Sequence, residues 1–464
     1  MSQPVLRPAA SRVSALSARK RAFADALLDL LSSRQALLLA GVFALAFLVR
    51  LVFIVLVDPD PQAGIPDDSL FYDSTASWLA EGRGYIHLHG EPTAHWPPGY
   101  SMILAVIYKL LGHHVFLGKM LNVFAGAATS IAVYFLGAKV FDRRVGLLGA
   151  LLLAFFPSQV FGATLLMTEV IWGLAVTLLL LLVIGLTIER PTLGRVALTG
   201  LVIGILSMIR GETVLLALAL VPVWAVAQES WPAGLRFGAV ALAATGVALL
   251  PWTVRNWVQL GYPIVVSAGS AENLIAGHWE GADGLGNFVP VIAVQKEYED
   301  VRPPEREVKV YREQTRRAIE YALNHPADEL RLIPQKLFHF YRDDSRPLLW
   351  IQAKGDLLSA ASEARLRDLA NTYYLAVLAA AVAGAPLWLR RVDPKRLLLI
   401  MLVAYYSFLF GFVFIGEPRF HSALIPVFCI LAAVFFVRAG ERVWDRLKSG
   451  SKTGPGGAGE SGAD

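Results

Sequence analysis

Two adjacent carboxylates, Asp67 and Asp68, follow Pro66 at the start of the stretch SLFYDSTASWLAEG. An Asp in front of an amphipathic run is a common helix N-cap, and this interpretation accounts for one of the two residues. A cap needs only one carboxylate, so the other calls for a different explanation. Beside an apolar wall at a membrane surface, a carboxyl group has a raised pKa and can act as a general base. The pair therefore predicts a candidate base at one of these positions.

Further ionisable residues stand at the ends of apolar runs. Glu169 opens one run and is either solvated at the interface or turned inward towards a cavity. Arg419 and His421 lie in the stretch GEPRFHSALIP. Because a guanidinium group pairs bidentately with phosphate, Arg419 is a candidate for binding an anion.

Three more charged residues have structural explanations to weigh against functional ones. Arg50 lies within an apolar run, where it either snorkels to the interface or pairs with a carboxylate. Arg210 and Glu212 flank a glycine at a junction between runs. These two residues are expected to form an ion pair across a short turn.

The histidines and the cysteine match no firm metal-binding pattern. His87, His89 and His95 can approach Asp67 or Asp68, but their spacing matches no zinc pattern. The sequence contains one cysteine, which excludes an intrachain disulfide and a Cys-based zinc site. No cofactor is predicted, and a divalent metal is left open without support from the sequence.

The composition places these residues in a membrane protein. The chain has 464 residues, of which 55% are hydrophobic and 17% are charged, and its mean hydropathy is +0.53. Soluble domains carry about 25% charged and about 45–50% apolar residues. The composition therefore excludes an ordinary soluble enzyme, a disordered chain and a fibrous protein.

Apolar runs predict the membrane spans. A bilayer core needs about 20 apolar residues in a helix. The candidate runs lie near 36–57, 116–138, 145–162, 169–188, 194–210, 213–228, 237–252, 370–389, 397–415 and 422–438. Pro157 is expected to break the third run, and three later runs are short. The predicted fold is an all-α polytopic membrane protein with about ten transmembrane helices.

Lys and Arg residues collect on one side of this ten-span arrangement. They are Arg19, Lys20, Arg21, Arg34, Lys139, Arg143, Arg144, Arg190, Arg195, Arg236, Arg390, Arg391, Lys395, Arg396, Arg438, Arg442, Arg446 and Lys448. The positive-inside rule makes that side cytoplasmic, so both termini are expected in the cytoplasm. This bias also accounts for a pI of 9.2 without nucleic acid as a partner.

The segments between the spans complete the predicted organisation. It comprises a basic N-terminal tail (1–35), a membrane core (36–252) with an outer loop (58–115), an outer helical segment (253–369), C-terminal spans (370–440) and a disordered cytoplasmic tail (441–464). In the outer loop, Phe71, Thr75 and Trp78 share one helical face, which predicts an interfacial helix. The apolar stretch 101–111 predicts a second one.

Taken in order, the motifs resemble a known family. They are PDDSLFYDSTASWLAEGRGY, HWPPGYSMIL, a Thr-Glu pair opening the fourth run, PWTVRNW with AGSAENLIAGHW, and GEPRFHSALIPV. This series resembles bacterial integral-membrane glycosyltransferases of the GT-C class, described as protein-mannosyltransferase-like or aminoarabinose-transferase-like, over about residues 36–440. The resemblance implies a hexosyl- or pentosyltransferase that uses a polyprenyl-phosphate-linked sugar in the plasma (inner) membrane, with its site on the extracytoplasmic face.

The resemblance also implies roles for individual residues. It implies a catalytic carboxylate in the first outer loop, and on the register set by Tyr72 that carboxylate is Asp68. Asp67 is the alternative, because this chain has Asp-Asp where many relatives have Asp-Glu or a single Asp. The residues assigned to substrate binding are Glu169, Tyr72, His95, Tyr100, Arg255, Asn256, Asn273, Arg419 and His421.

These residue types fit sugar transfer. The acceptor hydroxyl loses its proton as it attacks the anomeric carbon, and a carboxylate can accept that proton. The lipid phosphate is already a competent leaving group, whose developing charge a cation would stabilise. One direct displacement would invert the anomeric centre. The acceptor is a glycan, a lipid or a protein, and no motif distinguishes them.

Two other functions compete with this interpretation. A transporter or flippase for a lipid-linked saccharide would favour inverted repeats and charges at the midplane of the membrane. The sequence shows no repeat, and its notable charges cluster at one surface. A scaffold protein would leave the acidic loop and the Trp-Pro-Pro-Gly-Tyr motif unexplained.

Overall fold

The computed structural model describes residues 34–450, except the side chains of residues 446, 447, 449 and 450. Over this range the chain is helical, and its β-structure is limited to one isolated bridge between Ile86 and Pro92. The predicted all-α fold class is therefore confirmed. Residues 1–33 of the predicted N-terminal tail and residues 451–464 of the C-terminal tail lie outside the described residues.

The helices are numbered here in chain order. The first part of the chain forms α1 (Arg34–Leu56), α2 (Asp68–Ala80), α3 (Gly99–Leu111), α4 (Val115–Val140), α5 (Arg143–Ala154), α6 (Pro157–Phe161), α7 (Glu169–Val183), α8 (Leu193–Ser207), α9 (Leu216–Ala219), α10 (Val221–Ala227) and α11 (Trp231–Leu260). The second part forms α12 (Ser270–Gly277), α13 (Val289–Glu297), α14 (Glu305–Asn324), α15 (Pro326–Tyr341), α16 (Arg346–Ala353), α17 (Ala360–Ala383), α18 (Ala385–Trp388), α19 (Pro394–Phe408) and α20 (Ile425–Gly450). Tighter or wider turns lie at Gly162–Thr164, Ile184–Ile188, Gly211–Leu215, Leu409–Val413 and Pro418–Leu424.

The chain is a multi-pass membrane protein, but the count of ten spans is not confirmed. Within residues 34–450, six helices are long and apolar enough to cross a bilayer. They are Arg34–Leu56, Val115–Val140, Glu169–Ile188, Trp231–Leu260, Pro394–Val413 and Pro418–Asp445. A seventh span results if the bent pair α5 and α6 is taken as one.

The remaining predicted spans differ for local reasons. Helix α8 has only 15 residues, which is about 22 Å of helix against a bilayer core of about 30 Å. The run predicted at 213–228 divides into a 3₁₀ turn and the two short helices α9 and α10. The run predicted at 370–389 is divided between the second half of α17 and the short helix α18. Helix α17 begins earlier, at Ala360, and its first half carries charged residues.

Helix α20 lies at the centre of the packing. It contacts α5 and α17. Of the most apolar 18-residue stretch in the span Pro418–Asp445, 83% is buried inside the protein. Helix α1 contacts α4 and α5, but only 22% of its most apolar 18-residue stretch is buried. Helix α1 is therefore peripheral, and its exposed apolar side chains suit contact with lipid.

Ion pairs join the ends of several helices on the side where basic residues collect. Glu189 lies 2.9 Å from Lys139 and 2.8 Å from Lys395. Arg438 lies 2.6 Å from Asp142, the residue that caps α5. The structure thus brings together basic residues that the ten-span arrangement also placed on one side.

The break predicted at Pro157 is present and is stabilised by Arg50. Helices α5 and α6 meet at 56°. Arg50 is fully buried in α1 and donates hydrogen bonds to the carbonyls of Ala154 at 3.1 Å and Leu153 at 3.3 Å, as well as to Ala46 at 2.9 Å. Carbonyls at a helix C-terminus lack intrahelical partners and favour a cation. Arg50 therefore neither snorkels nor pairs with a carboxylate, because the broken span supplies its acceptors.

Replacing Arg50 with Met should destabilise the protein. The change leaves the carbonyls of Leu153 and Ala154 without this donor, and each buried unsatisfied acceptor costs about 1–3 kcal/mol. We expect a loss of about 2 kcal/mol in the free energy of unfolding, measured by denaturant titration in detergent. Val52→Met, at a lipid-facing position of the same helix, is the matched control, and an equal effect of the two changes would contradict the role given to Arg50.

Candidate active site

Asp68 is the first residue of α2, and each of its carboxylate oxygens accepts one hydrogen bond. The indole Nε1–H of Trp96 donates to Oδ1 at 3.1 Å. Arg419 Nη1 donates to Oδ2 at 2.7 Å. Arg419 lies in the turn that leads into α20. The first outer loop and the last span therefore meet at this carboxylate.

Asp67 has a different environment. Its Oδ1 accepts hydrogen bonds from the backbone N–H groups of Ser69 and Leu70, which caps α2. The same oxygen lies 2.8 Å from Nζ of Lys354, and both side chains are almost completely buried. Lys354 also donates to the carbonyls of Pro61 and Ile65. Asp67 is therefore occupied in holding the outer loop against the end of α16.

A series of charges that alternate in sign continues from Asp68. Beyond Arg419, the carboxylate of Glu169 lies 3.9 Å away. Glu169 in turn lies 3.2 Å from Nη1 of Arg210, and Arg210 Nε lies 2.6 Å from Glu212. Glu169 thus faces inward, and the expected pair of Arg210 and Glu212 is present.

Access to solvent decreases along this series from Asp68 to Arg210. The side chains of Asp68 and Arg419 are 27% and 22% exposed, whereas that of Arg210 is 10% exposed. Asp68 and Arg419 are therefore the members that a substrate can reach. Arg210 lies behind them and holds Glu169.

The neighbours of Asp68 favour its ionised form. Burial alone would raise the pKa of this carboxyl group, but the charge and hydrogen bond of Arg419 and the hydrogen bond from Trp96 hold the pKa below its ordinary value. Its position in the first turn of α2 acts in the same direction, because a helix N-terminus favours a negative charge.

Aromatic side chains form the walls around these charges. Phe71, one turn after Asp68, stacks on Trp96 with ring centroids 3.7 Å apart. The Phe420 ring lies 5.4 Å from the guanidinium of Arg210 and 5.3 Å from that of Arg419. Trp350 contacts Arg419 at 5.6 Å. Such walls strengthen the electrostatic interactions inside the site by excluding water.

Other predicted residues lie at the edge of this site. Tyr72 is buried and packs edge-on against Tyr100 at 5.1 Å. His95 lies next to Trp96 and 3.6 Å from Glu272. Asn273 follows Glu272 in α12 and is half-buried. A role in substrate binding stays a prediction for each of them.

The side chains of Arg255 and Asn256 donate hydrogen bonds to backbone carbonyls. Arg255 donates to the carbonyls of Thr93 and Tyr85, each at 2.6 Å. Asn256 is buried and donates to the carbonyl of Ile264 at 2.8 Å. The structure therefore places Arg255 as a brace of the outer loop and Asn256 as a brace of the turn that follows α11, and neither residue contacts Asp68.

His421 belongs to a buried cluster of polar groups that does not include Asp68. One ring nitrogen lies 2.6 Å from the carbonyl oxygen of Phe340, and the other lies 3.2 Å from Asp344. Asp344 also accepts a hydrogen bond from Ser158, and its burial raises the pKa of its carboxyl group. This cluster fixes the turn that carries Arg419, two residues before His421.

Sequence reasoning missed Trp96 and the place of Arg210 in the site. Trp96 stands in the HWPPGY motif, but nothing in the sequence shows that its N–H donates to a residue 28 positions away. Among residues 34–450, no three His, Cys, Asp or Glu side chains are grouped to hold a metal ion.

A family model matches the middle of the chain. Residues 95–257 match the dolichyl-phosphate-mannose-protein mannosyltransferase family. The match confirms the predicted resemblance to membrane glycosyltransferases over these residues. It includes Trp96, Glu169 and Arg210, whereas Asp68 and Arg419 lie outside it. No curated protein matches the chain.

Two solved structures are similar to the chain at low sequence identity. The archaeal oligosaccharyltransferase AglB from Archaeoglobus fulgidus, in complex with an inhibitory peptide and a dolichol-phosphate, is 14% identical with a TM-score of 0.49, and the alignment covers 91% of this chain and 52% of that one. ArnT from Cupriavidus metallidurans, bound to undecaprenyl phosphate, is 14% identical with a TM-score of 0.42, and the coverage is 84% and 77%. The chain thus spans about half the length of the AglB structure.

The two aspartates should separate in their effect on stability. Asp67→Asn keeps an N-cap side chain but leaves the buried ammonium of Lys354 without its carboxylate. Removing one partner of a buried ion pair costs about 3–5 kcal/mol, and we expect about 3 kcal/mol because two carbonyls still accept from Lys354. Asp68→Asn removes a partly exposed pair and should cost about 1 kcal/mol or less. Denaturant unfolding in detergent measures both, and equal losses would contradict this assignment.

Proposed function

We propose that the protein transfers a hexosyl or pentosyl group from a polyprenyl-phosphate donor to an acceptor hydroxyl. The observation that carries this proposal is the contact of Asp68 with Arg419, a partly exposed base candidate beside a cation at the end of the membrane helices. The family match over residues 95–257 supports the same class of reaction. The acceptor is a glycan, a lipid or a protein, and membrane lipid surrounds the helices.

Arg419 has hydrogen-bonding capacity left for a phosphate. Its Nη1 donates to Asp68, while Nε and Nη2 make no hydrogen bond to any residue that the structure describes. A guanidinium group offers five N–H donors in a planar fork that matches a phosphate group. Arg419 can therefore hold the leaving phosphate and the base carboxylate side by side.

The proposed step is a single displacement. The acceptor oxygen forms a bond to the anomeric carbon while the bond from that carbon to the phosphate oxygen breaks. The hydroxyl proton passes to the carboxylate of Asp68, and the electron pair of the broken bond leaves with the lipid phosphate. Arg419 stabilises the negative charge that develops there. Attack from the face opposite the leaving group inverts the anomeric centre.

The proposal places this site on the extracytoplasmic face of the plasma membrane. The basic helix ends around Lys139, Lys395 and Arg438 form the other side of the protein. The positive-inside rule assigns such a side to the cytoplasm. On this assignment both termini are cytoplasmic, and the donor is reached from its headgroup at the outer interface.

The first test of the function is sugar transfer by the reconstituted protein. Proteoliposomes receive a panel of polyprenyl-phosphate sugars and a membrane extract as the source of acceptor. A general base contributes about 10²–10⁴-fold to the rate, so Asp68→Asn should lower transfer by at least about 10²-fold. Asp60→Asn, at an exposed acidic position of the same loop, is the matched control and should retain the wild-type rate.

Three results would contradict the proposal in different ways. Transfer that survives in Asp68→Asn would remove this carboxylate as the base. A product with retained anomeric configuration would exclude the single displacement. Movement of the donor across the bilayer without a covalent glycan product would favour a flippase.

The charge of Arg419 should determine both donor affinity and the pH profile. Arg419→Gln removes the cation beside Asp68, so the pKa of that carboxyl group should rise. The base is active when deprotonated, and the acid limb of the pH profile should therefore move to higher pH. The KM for the donor should rise about tenfold or more, since hydrogen bonds to charged groups contribute about 1.5–3 kcal/mol.

Two comparisons make this measurement decisive. Arg419→Lys keeps the charge but loses the planar fork, so it should restore most of the pH profile and little of the donor affinity. Arg83→Gln, at an exposed arginine of the same loop, should change neither. An unchanged acid limb in Arg419→Gln would show that Arg419 does not act on the base.

A further inference from the structure

The two hydrogen-bond donors on Asp68 differ in how firmly they are held. Arg419 is a long side chain whose guanidinium also faces Glu169 at 3.9 Å. Trp96 has only two side-chain torsions, and its ring stacks on Phe71 at 3.7 Å with 22° between the planes. Phe71 belongs to α2, the helix that Asp68 begins. The indole is therefore fixed against the same helix that carries the carboxylate.

The backbone on both sides of Trp96 is also fixed. The carbonyl of His95 accepts a hydrogen bond from the N–H of Gly269 at 2.9 Å. The carbonyl of Trp96 accepts one from the hydroxyl of Tyr85 at 3.0 Å. Two prolines follow, which restrict the backbone torsions of this segment.

Gly99 anchors the far end of the segment by a close approach. Its N–H donates to the carbonyl of Met208 at 2.6 Å, and a Cβ at this position would lie 2.7 Å from that carbonyl oxygen. Only a glycine permits this contact. Residues 95–99 are thus held on α2 by the Phe71 stack and, through Met208, on the segment that precedes Arg210.

Helix α14 of the outer helical segment stabilises the residues just before this segment. Glu307 accepts hydrogen bonds from the hydroxyl of Thr93 at 2.6 Å and from the N–H of Ala94 at 2.7 Å. The Thr93 hydroxyl accepts one from the N–H of His95 at 3.0 Å. The outer helical segment is therefore connected to the site through residues 93–96.

We propose that Trp96 is a positioning residue of the transfer reaction, whose indole N–H sets the orientation of the Asp68 carboxylate towards the acceptor hydroxyl. This inference rests on the proposed function. With Oδ1 held by a rigid neutral donor, the plane of the carboxylate is fixed even when Arg419 turns towards a phosphate. The remaining lone pairs then keep a constant direction for proton transfer, which a freely rotating carboxylate would not provide.

Trp96→Phe isolates the N–H from the ring. The phenyl ring can keep the stack on Phe71, while Asp68 loses one of its two donors. Hydrogen bonds to charged groups contribute about 1.5–3 kcal/mol, so kcat should fall about 10- to 100-fold. The KM for the donor should stay within about twofold, since Arg419 is retained. The acid limb of the pH profile should move to higher pH, because the lost hydrogen bond favoured the ionised carboxylate.

Trp224→Phe is the matched control. Trp224 is a buried tryptophan in α10, and its N–H donates to the hydroxyl of Thr187 at 2.9 Å. Thr187 lies at the opposite end of the span Glu169–Ile188 from Glu169. Its replacement also removes one indole hydrogen bond from the interior. It should leave kcat, the KM for the donor and the pH profile unchanged at matched protein amounts.

A second readout does not depend on activity. The protein, with its 11 tryptophans, is labelled with 5-fluorotryptophan, and the ¹⁹F resonance that disappears in Trp96→Phe is assigned to Trp96. Asp68→Asn should shift this resonance, because the carboxylate charge next to the indole N–H is lost. The resonance that disappears in Trp224→Phe should not move.

The outcomes separate this inference from the proposed function. An unmoved Trp96 resonance in Asp68→Asn overturns the inference, since the two side chains are then not in contact. So does a Trp96→Phe protein with wild-type kcat and pH profile when Asp68→Asn is inactive, and in that case the proposed function stands. Transfer that persists in Asp68→Asn overturns the proposed function itself. A shifted resonance with a lower kcat, an unchanged donor KM and a displaced acid limb supports the inference.

Discussion

The ion pair between Asp68 and Arg419 joins two parts of the chain that are 351 positions apart. This ion pair forms only when the first outer loop packs against the turn before α20. It therefore depends on the packing of the helix ends around the site. The series that follows, through Glu169 and Arg210, pairs every charge with one of opposite sign. Near a bilayer, a charge without such a partner is expensive. The arrangement of the helix ends therefore depends on these charges staying together.

Broken and short helices allow these charged residues to come together. The bend between α5 and α6 leads the chain through a buried segment to Glu169, the first residue of α7. Such a break leaves carbonyl groups without partners, which the membrane interior does not tolerate. Arg50 supplies the missing donors from α1. A residue that looked like a functional charge in the sequence is thus explained by the geometry of the helix break.

The environment of Asp68 suits a base whose strength depends on what is bound. Arg419 and Trp96 hold the pKa of this carboxyl group below its ordinary value, against the effect of burial. In the proposed complex, a donor phosphate would offset part of the charge of Arg419. The pKa of Asp68 would then rise, and a carboxylate with a higher pKa accepts a proton more readily. Donor binding and base strength would be coupled through one guanidinium group, while Trp96 keeps the carboxylate in place.

The sequence by itself determined the helical membrane class, the two helices of the first outer loop and the break at Pro157, because these follow from local hydrophobicity and backbone chemistry. It also singled out Asp67 and Asp68 without distinguishing their surroundings. The number of spans was not determined, since hydrophobicity alone does not show that an apolar run such as 213–228 divides into a 3₁₀ turn and two short helices. The tertiary structure alone decided that Asp67 pairs with buried Lys354 while Asp68 faces Trp96 and Arg419. Those partners are distant in the sequence, and the direction of a side chain at a helix start depends on what packs against it.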